Sequence, residues 1–62
     1  MNKKEYLEKL SKMNGNHLVE ELLYRQYLLE QEENTNGYTE KYFDLKHMYN
    51  TCSDYIVEKL DK

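Results

Sequence analysis

Proline and tryptophan are both missing from this 62-residue chain, and cysteine occurs once. Without proline, and with apolar residues at regular spacings, the chain does not read as a disordered tail. A lone cysteine, Cys52, cannot close an internal disulfide, which fits a reducing cytoplasm better than a secreted scaffold. Glycine occurs twice, at Gly15 and Gly37, each inside an Asn-containing break, so there is no glycine-rich phosphate loop. Long apolar runs are lacking too, and no membrane-spanning segment is expected. Met1-Asn2-Lys3-Lys4-Glu5 has no apolar run behind it, so no export signal is expected and the cytoplasm is the expected location. Nine basic against twelve acidic residues leave a formal charge of -3, a field that mildly repels nucleic acid.

What is present is helical patterning. Tyr38, Tyr42, Leu45, Tyr49, Cys52, Ile56 and Leu60 recur at alternating spacings of four and three, the signature of a helical seam. This predicts a long helix over about 38–60, with Glu40, Asp44, Lys46, His47, Asn50, Asp54 and Glu58 turned away and Lys59 and Lys62 near its C-terminus. Upstream, Asn2 followed by Glu5 has the form of a capping box, and Tyr6, Leu10 and Met13 then line a short helix over about 3–13. Asn14-Gly15-Asn16 ends it, with Gly15 suited to a left-handed cap and Asn16 to the next N-cap.

A second helix is predicted over about 17–33. Leu18, Leu22 and Leu29 lie on one line with Val19 and Leu23 beside it, while Tyr24, Tyr27 and Leu28 spread onto other faces. Its acidic C-terminal end conflicts with the helix dipole at a cost of about 0.3 to 1 kcal/mol. Asn34-Thr35-Asn36-Gly37 is then a short connection, with Asn36 or Thr35 available as a cap, and it makes the two long helices antiparallel neighbours. The expected fold is all-α: a short N-terminal helix followed by a long antiparallel helical hairpin, one domain over 1–62. At 1.5 Å per residue the third helix would outrun the second, about 33 Å against about 25 Å. That overhang and the several apolar faces of the second helix favour a homodimer, with a closed three-helix monomer as the alternative.

No constellation points to catalysis. Asp44 and His47 are three apart, as in the ligand pairs of di-metal bundles, but they point away from the seam and no second pair exists, so no metal is expected. His47 and Cys52 project in different directions and make no nucleophile and base. His17 has no metal-ligating neighbour in sequence. The chain is expected not to be an enzyme and to need no cofactor.

The seven tyrosines are the most unusual feature, because tyrosine brings large contact area with a polar tip and is enriched in recognition surfaces. Tyr24, Tyr27 and Tyr55, which the third-helix seam does not need, together with Leu28, Glu30 and Glu33, form the expected partner-binding set. The reading is a non-enzymatic regulator or inhibitor that binds a larger cytoplasmic protein. One alternative is an acidic mimic of DNA, with Glu20, Glu21, Glu30, Glu32, Glu33, Glu40 and Asp44 imitating a row of phosphates. The other is a structural homo-oligomer or a subunit of a larger assembly. Direct nucleic-acid binding and membrane association are not expected. The Lys, Asn, Glu and Tyr content is what an AT-rich coding source yields, such as a low-GC bacterium or its phages.

Overall fold

A computed structural model describes residues 2–60, so the Lys62 expected near the last helix end lies outside the described residues. Three α-helices follow in order: α1 Lys3–Ser11, α2 Gly15–Asn36 and α3 Glu40–Leu60. There are no strands among the described residues.

Each helix start is set by a polar side chain that takes up a backbone donor left free by the first turn. The Asn2 side chain accepts from the Glu5 amide at 2.8 Å, the forward half of the expected capping box. At α2 the cap is Asn14 and not Asn16, its Oδ1 accepting from the His17 amide at 2.9 Å. Starting there brings Gly15 into the helix and lets the Leu18 amide donate to the Asn14 carbonyl at 3.0 Å. Gly15 therefore takes no left-handed conformation, and α1 ends at Ser11, two residues before the expected limit.

The far end of α2 also runs on, to Asn36, because its last turn is held from both sides. The Asn36 amide group donates to Glu32 at 3.2 Å, and the Gly37 amide donates to the Glu32 and Glu33 carbonyls, each at 3.1 Å. Gly37 has φ 78°, which only glycine adopts without strain, so it terminates the helix. Neither Thr35 nor Asn36 caps α3. Thr39 does, its hydroxyl oxygen accepting from the Tyr42 amide at 3.1 Å. With the added turns α2 has 22 residues and α3 has 21, so the overhang that favoured a dimer is absent.

The largest interface is between α2 and α3, and α1 packs mainly on α3. Tyr6, Leu10, Leu18 and Cys52 are the buried apolar residues, and Leu7, Met13, Leu22, Met48, Tyr55 and Ile56 pack against them. The core thus sits at the end of the molecule where α1 meets the start of α2 and the second half of α3. Of the α3 seam, Tyr42, Leu45, Tyr49, Cys52 and Ile56 turn inward. Its outermost members do not: Tyr38 precedes the helix, Leu60 is the last residue of α3, and both are exposed.

Candidate functional site

Two features set α2 apart from an ordinary amphipathic helix. Its inward line is not wholly apolar. Leu18, Glu21, Arg25, Leu28 and Glu32, at alternating spacings of three and four, are all partly or fully buried, with Leu22 and Leu29 beside them. Charge on a packed face is tolerated only when it is hydrogen-bonded or paired, and each group here has a partner. The buried Tyr6 hydroxyl donates to Glu21 Oε2 at 3.1 Å, and Arg25 Nη2 stands 3.5 Å from the same oxygen. The guanidinium also lies 5.0 Å from the centre of the Tyr6 ring and 5.8 Å from that of Tyr24, within range of a cation–π attraction. Arg25 Nε, buried, finds no acceptor.

Burial pushes the Tyr6 phenol well above its ordinary value, opposed by Arg25. The Cys52 thiol is raised by burial as well, with the neighbouring Tyr6 hydroxyl pulling the other way. A fully buried thiol held in its neutral form is a packing group and not a nucleophile.

At the other end of the line, Glu32 accepts from Thr39 Oγ1 at 2.6 Å and from Asn36 Nδ2 at 3.2 Å. Those two hydrogen bonds, Thr39 first, hold its carboxyl below the usual carboxylate range, with Lys41 adding to the effect. Because Thr39 in turn caps α3, the Glu32 charge faces the positive end of that helix. The dipole conflict expected at the end of α2 is thereby relieved for this residue. Glu33 stays exposed and accepts from the Tyr38 hydroxyl at 2.9 Å, a contact that raises the Tyr38 phenol.

The second feature is the opposite face. Val19, Leu23 and Tyr27 follow one another at intervals of four, with Tyr24 alongside, and all four are between 53% and 58% exposed. The apolar character of α2 is thus split between a charged inward line and an apolar outward one. Glu20 and Glu30 share the outward side and are exposed, and α2 contains no lysine; its one arginine is turned in toward Tyr6 and Glu21.

Of the six expected contact residues, Tyr24, Tyr27 and Glu30 lie exposed on this outward side, and Glu33 is exposed at its edge. Leu28 is half-buried on the inward line. Tyr55 is half-buried against the core on α3, with Lys59 Nζ 5.5 Å from its ring centre, so the core does use it. Val19 and Leu23, which the sequence placed beside the packed line, belong to the outward stripe. Leu18 and Leu22 are four apart as well, so spacing alone does not separate the two lines.

Elsewhere, an open groove of about 780 Å³ brings Lys3, Arg25 and Lys41, one from each helix, together with Asp44, His47 and Asp54. The Arg25 charge is already met by Glu21, which leaves two lysines against two carboxylates, so the groove offers no net preference for an anion or a cation. Among the described residues no cluster of three His, Cys, Asp or Glu side chains is placed to hold a metal ion. No helix among them is long and apolar enough to cross a membrane. No protein-family model, curated protein or solved structure matches the chain.

Proposed function

We propose that this chain is a non-enzymatic interaction module, a regulator or inhibitor that docks on a larger cytoplasmic protein. In this reading the three helices act as a short brace and a long antiparallel hairpin, which presents the outward Tyr/Leu/Glu side of α2. The antiparallel course is supported at two points. The end of α2 is clasped to the start of α3 through Glu32 and Thr39, while Leu18, at the beginning of α2, shares the core with Cys52, late in α3.

The observation that carries the proposal is the stripe Val19, Leu23, Tyr24 and Tyr27. The core closes without these side chains, and their exposure on one side of a capped helix is the arrangement of a helix-docking surface. A tagged chain should retain one protein in near-stoichiometric amount from the cytoplasm of its source after nuclease treatment, and Leu23→Asp should release it. Recovery of nothing beyond the bait removes the proposal.

The acidic mimic of DNA is the second reading, favoured by the want of an exposed lysine or arginine on α2. Its row is shortened, since Glu21 and Glu32 turn inward and leave Glu20, Glu30, Glu33, Glu40 and Asp44 outside. High salt separates the two readings: it strips a charge-driven complex and spares an apolar one. Self-association through the exposed residues is the third, and it makes the unfolding midpoint rise with protein concentration.

A further inference from the structure

We infer that the outward side of α2 takes a basic amphipathic helix of a partner protein. The inference rests on the docking proposal above and adds the chemistry of the occupant. The stripe from Val19 to Tyr27 spans about 12 Å, two turns of an α-helix, and presents side chains at the four-residue interval that ridges of a facing helix can interleave. Glu20 and Glu30 lie on the same outward side, Glu33 lies at its edge, and all three are exposed. None of the three takes part in an ion pair among the described residues. The one arginine of α2 does not balance them, because it is held inward by Glu21 and the Tyr6 ring. The lysines all belong to α1, α3 and the segments flanking them.

A docking face that joins an apolar stripe to uncompensated carboxylates selects a partner with apolar residues at i, i+3, i+4 and i+7 and Lys or Arg on either flank. The same charges disfavour the other occupants. A second copy apposed by this face would set its acidic side chains against their own counterparts without an exposed lysine or arginine from either α2. A nucleic acid or an anionic membrane would bring phosphate toward carboxylate.

The test uses the full chain, isotopically labelled, and three synthetic helical peptides of about 18 residues, a length of about 27 Å that covers the stripe. The peptides share one apolar stripe of Leu and differ only in their flanks, which carry Lys and Arg, Gln and Ser, or Glu. The basic peptide should shift the amide resonances of Val19, Leu23, Tyr24 and Tyr27 and bind on the order of tenfold more tightly than the neutral one. The acidic peptide should be weaker still. Glu20→Lys with Glu30→Lys should reverse the order of the basic and acidic peptides while leaving the helical circular dichroism of the free chain unchanged.

Equal binding of the basic and neutral peptides to α2 overturns the charge assignment and leaves the docking surface standing. Failure of every peptide to move the α2 resonances overturns both. Resonances of the stripe that shift with the chain's own concentration assign the face to a second copy and overturn the inference.

Discussion

The Tyr6 hydroxyl ties α1 to α2, and replacing it by hydrogen tests whether the polar insert in the core stabilises the fold. In Tyr6→Phe the ring stays under the Arg25 guanidinium, at 5.0 Å in the parent, so packing and the cation–π contact are kept. What is lost is the 3.1 Å hydrogen bond to the Glu21 carboxylate. Hydrogen bonds to charged groups contribute about 1.5 to 3 kcal/mol, and the length of this one favours the lower figure, about 1.5 kcal/mol. A chain of this size has a total stability of about 3 to 9 kcal/mol, so the loss is readily measured. Tyr6→Ala, which removes the ring as well, costs about 3 to 5 kcal/mol and should lower the urea midpoint much further than Tyr6→Phe.

Urea titration followed by far-ultraviolet circular dichroism measures both variants. It also gives a second, independent signature in alkali. Burial holds the Tyr6 phenol above its ordinary 10.0, so in the folded chain it stays protonated where the unfolded chain's tyrosine ionises. The stability from this group is complete below pH 10 and falls as the pH rises toward the native value. The ceiling of that fall is about 1.4 kcal/mol per pH unit, reduced by solvent screening in a core this thin. Tyr6→Phe should lack that component. If its stability at neutral pH stays within the ~0.5 kcal/mol of an inert surface change and its alkaline profile matches the parent, the stabilising role of the hydroxyl is refuted.

The clasp between the long helices makes a separate forecast: Thr39→Ala removes both the α3 cap, worth about 1 kcal/mol, and the hydrogen bond to Glu32, so it should cost more than the cap alone, read as a lower urea midpoint. Because hydrogen bonds from Thr39 and Asn36 hold the Glu32 carboxyl below its ordinary 4.5, the stability it contributes is present above that pH and is lost as the pH falls through the native value. Thr39→Ala should therefore be less acid-sensitive than the parent in a urea series run down the pH scale. Leu10→Ala, which empties a fully buried site where α1 meets the core, should cost about 2 to 5 kcal/mol. Leu23→Asp, on the exposed stripe, should change stability by no more than about 0.5 kcal/mol, and a large loss there would show that the outward face is covered in the free protein.

The all-α class and the count of three helices were legible because heptad-like spacing survives in all three segments and Asn-Gly clusters separate them. The inward side of α3 was legible too: Tyr42, Leu45, Tyr49, Cys52 and Ile56 are where the alternating spacing puts them. The helix ends were harder. Asn14 and Asn16 are equally good caps by residue type, and the choice fell to the longer helix, which carries Leu18 into the core. Likewise Asn34, Thr35 and Asn36 have the composition of a turn, but the Glu32 carboxylate holds Asn36 in the last helical turn while accepting from Thr39. No local rule reports that contact, since it needs the start of α3 in place.

The division of α2 was the least legible part, and the reason lies in how periodicity is counted. A search for apolar residues at helical spacing finds leucines around much of α2 and treats its charged residues as solvated. In the folded chain Glu21, Arg25 and Glu32 share the 3-4 spacing of Leu18 and Leu28 and turn inward. Those charges are matched from other helices, by Tyr6 on α1 and by Thr39 at the start of α3. Only when these partners are in place can α2 turn a charged line toward the core and leave Val19, Leu23 and Tyr27 outside. The apolar outward stripe is then a consequence of which side of the helix found polar partners. It does not depend on a shortage of apolar residues within. This separates the two sides energetically: Tyr6, Leu10 and the paired charges hold the fold, while the outward stripe can change without loosening it. A surface freed in this way from the demands of stability is free to vary with binding alone, and the absence of any lysine or exposed arginine from it is the feature on which the proposed basic partner rests.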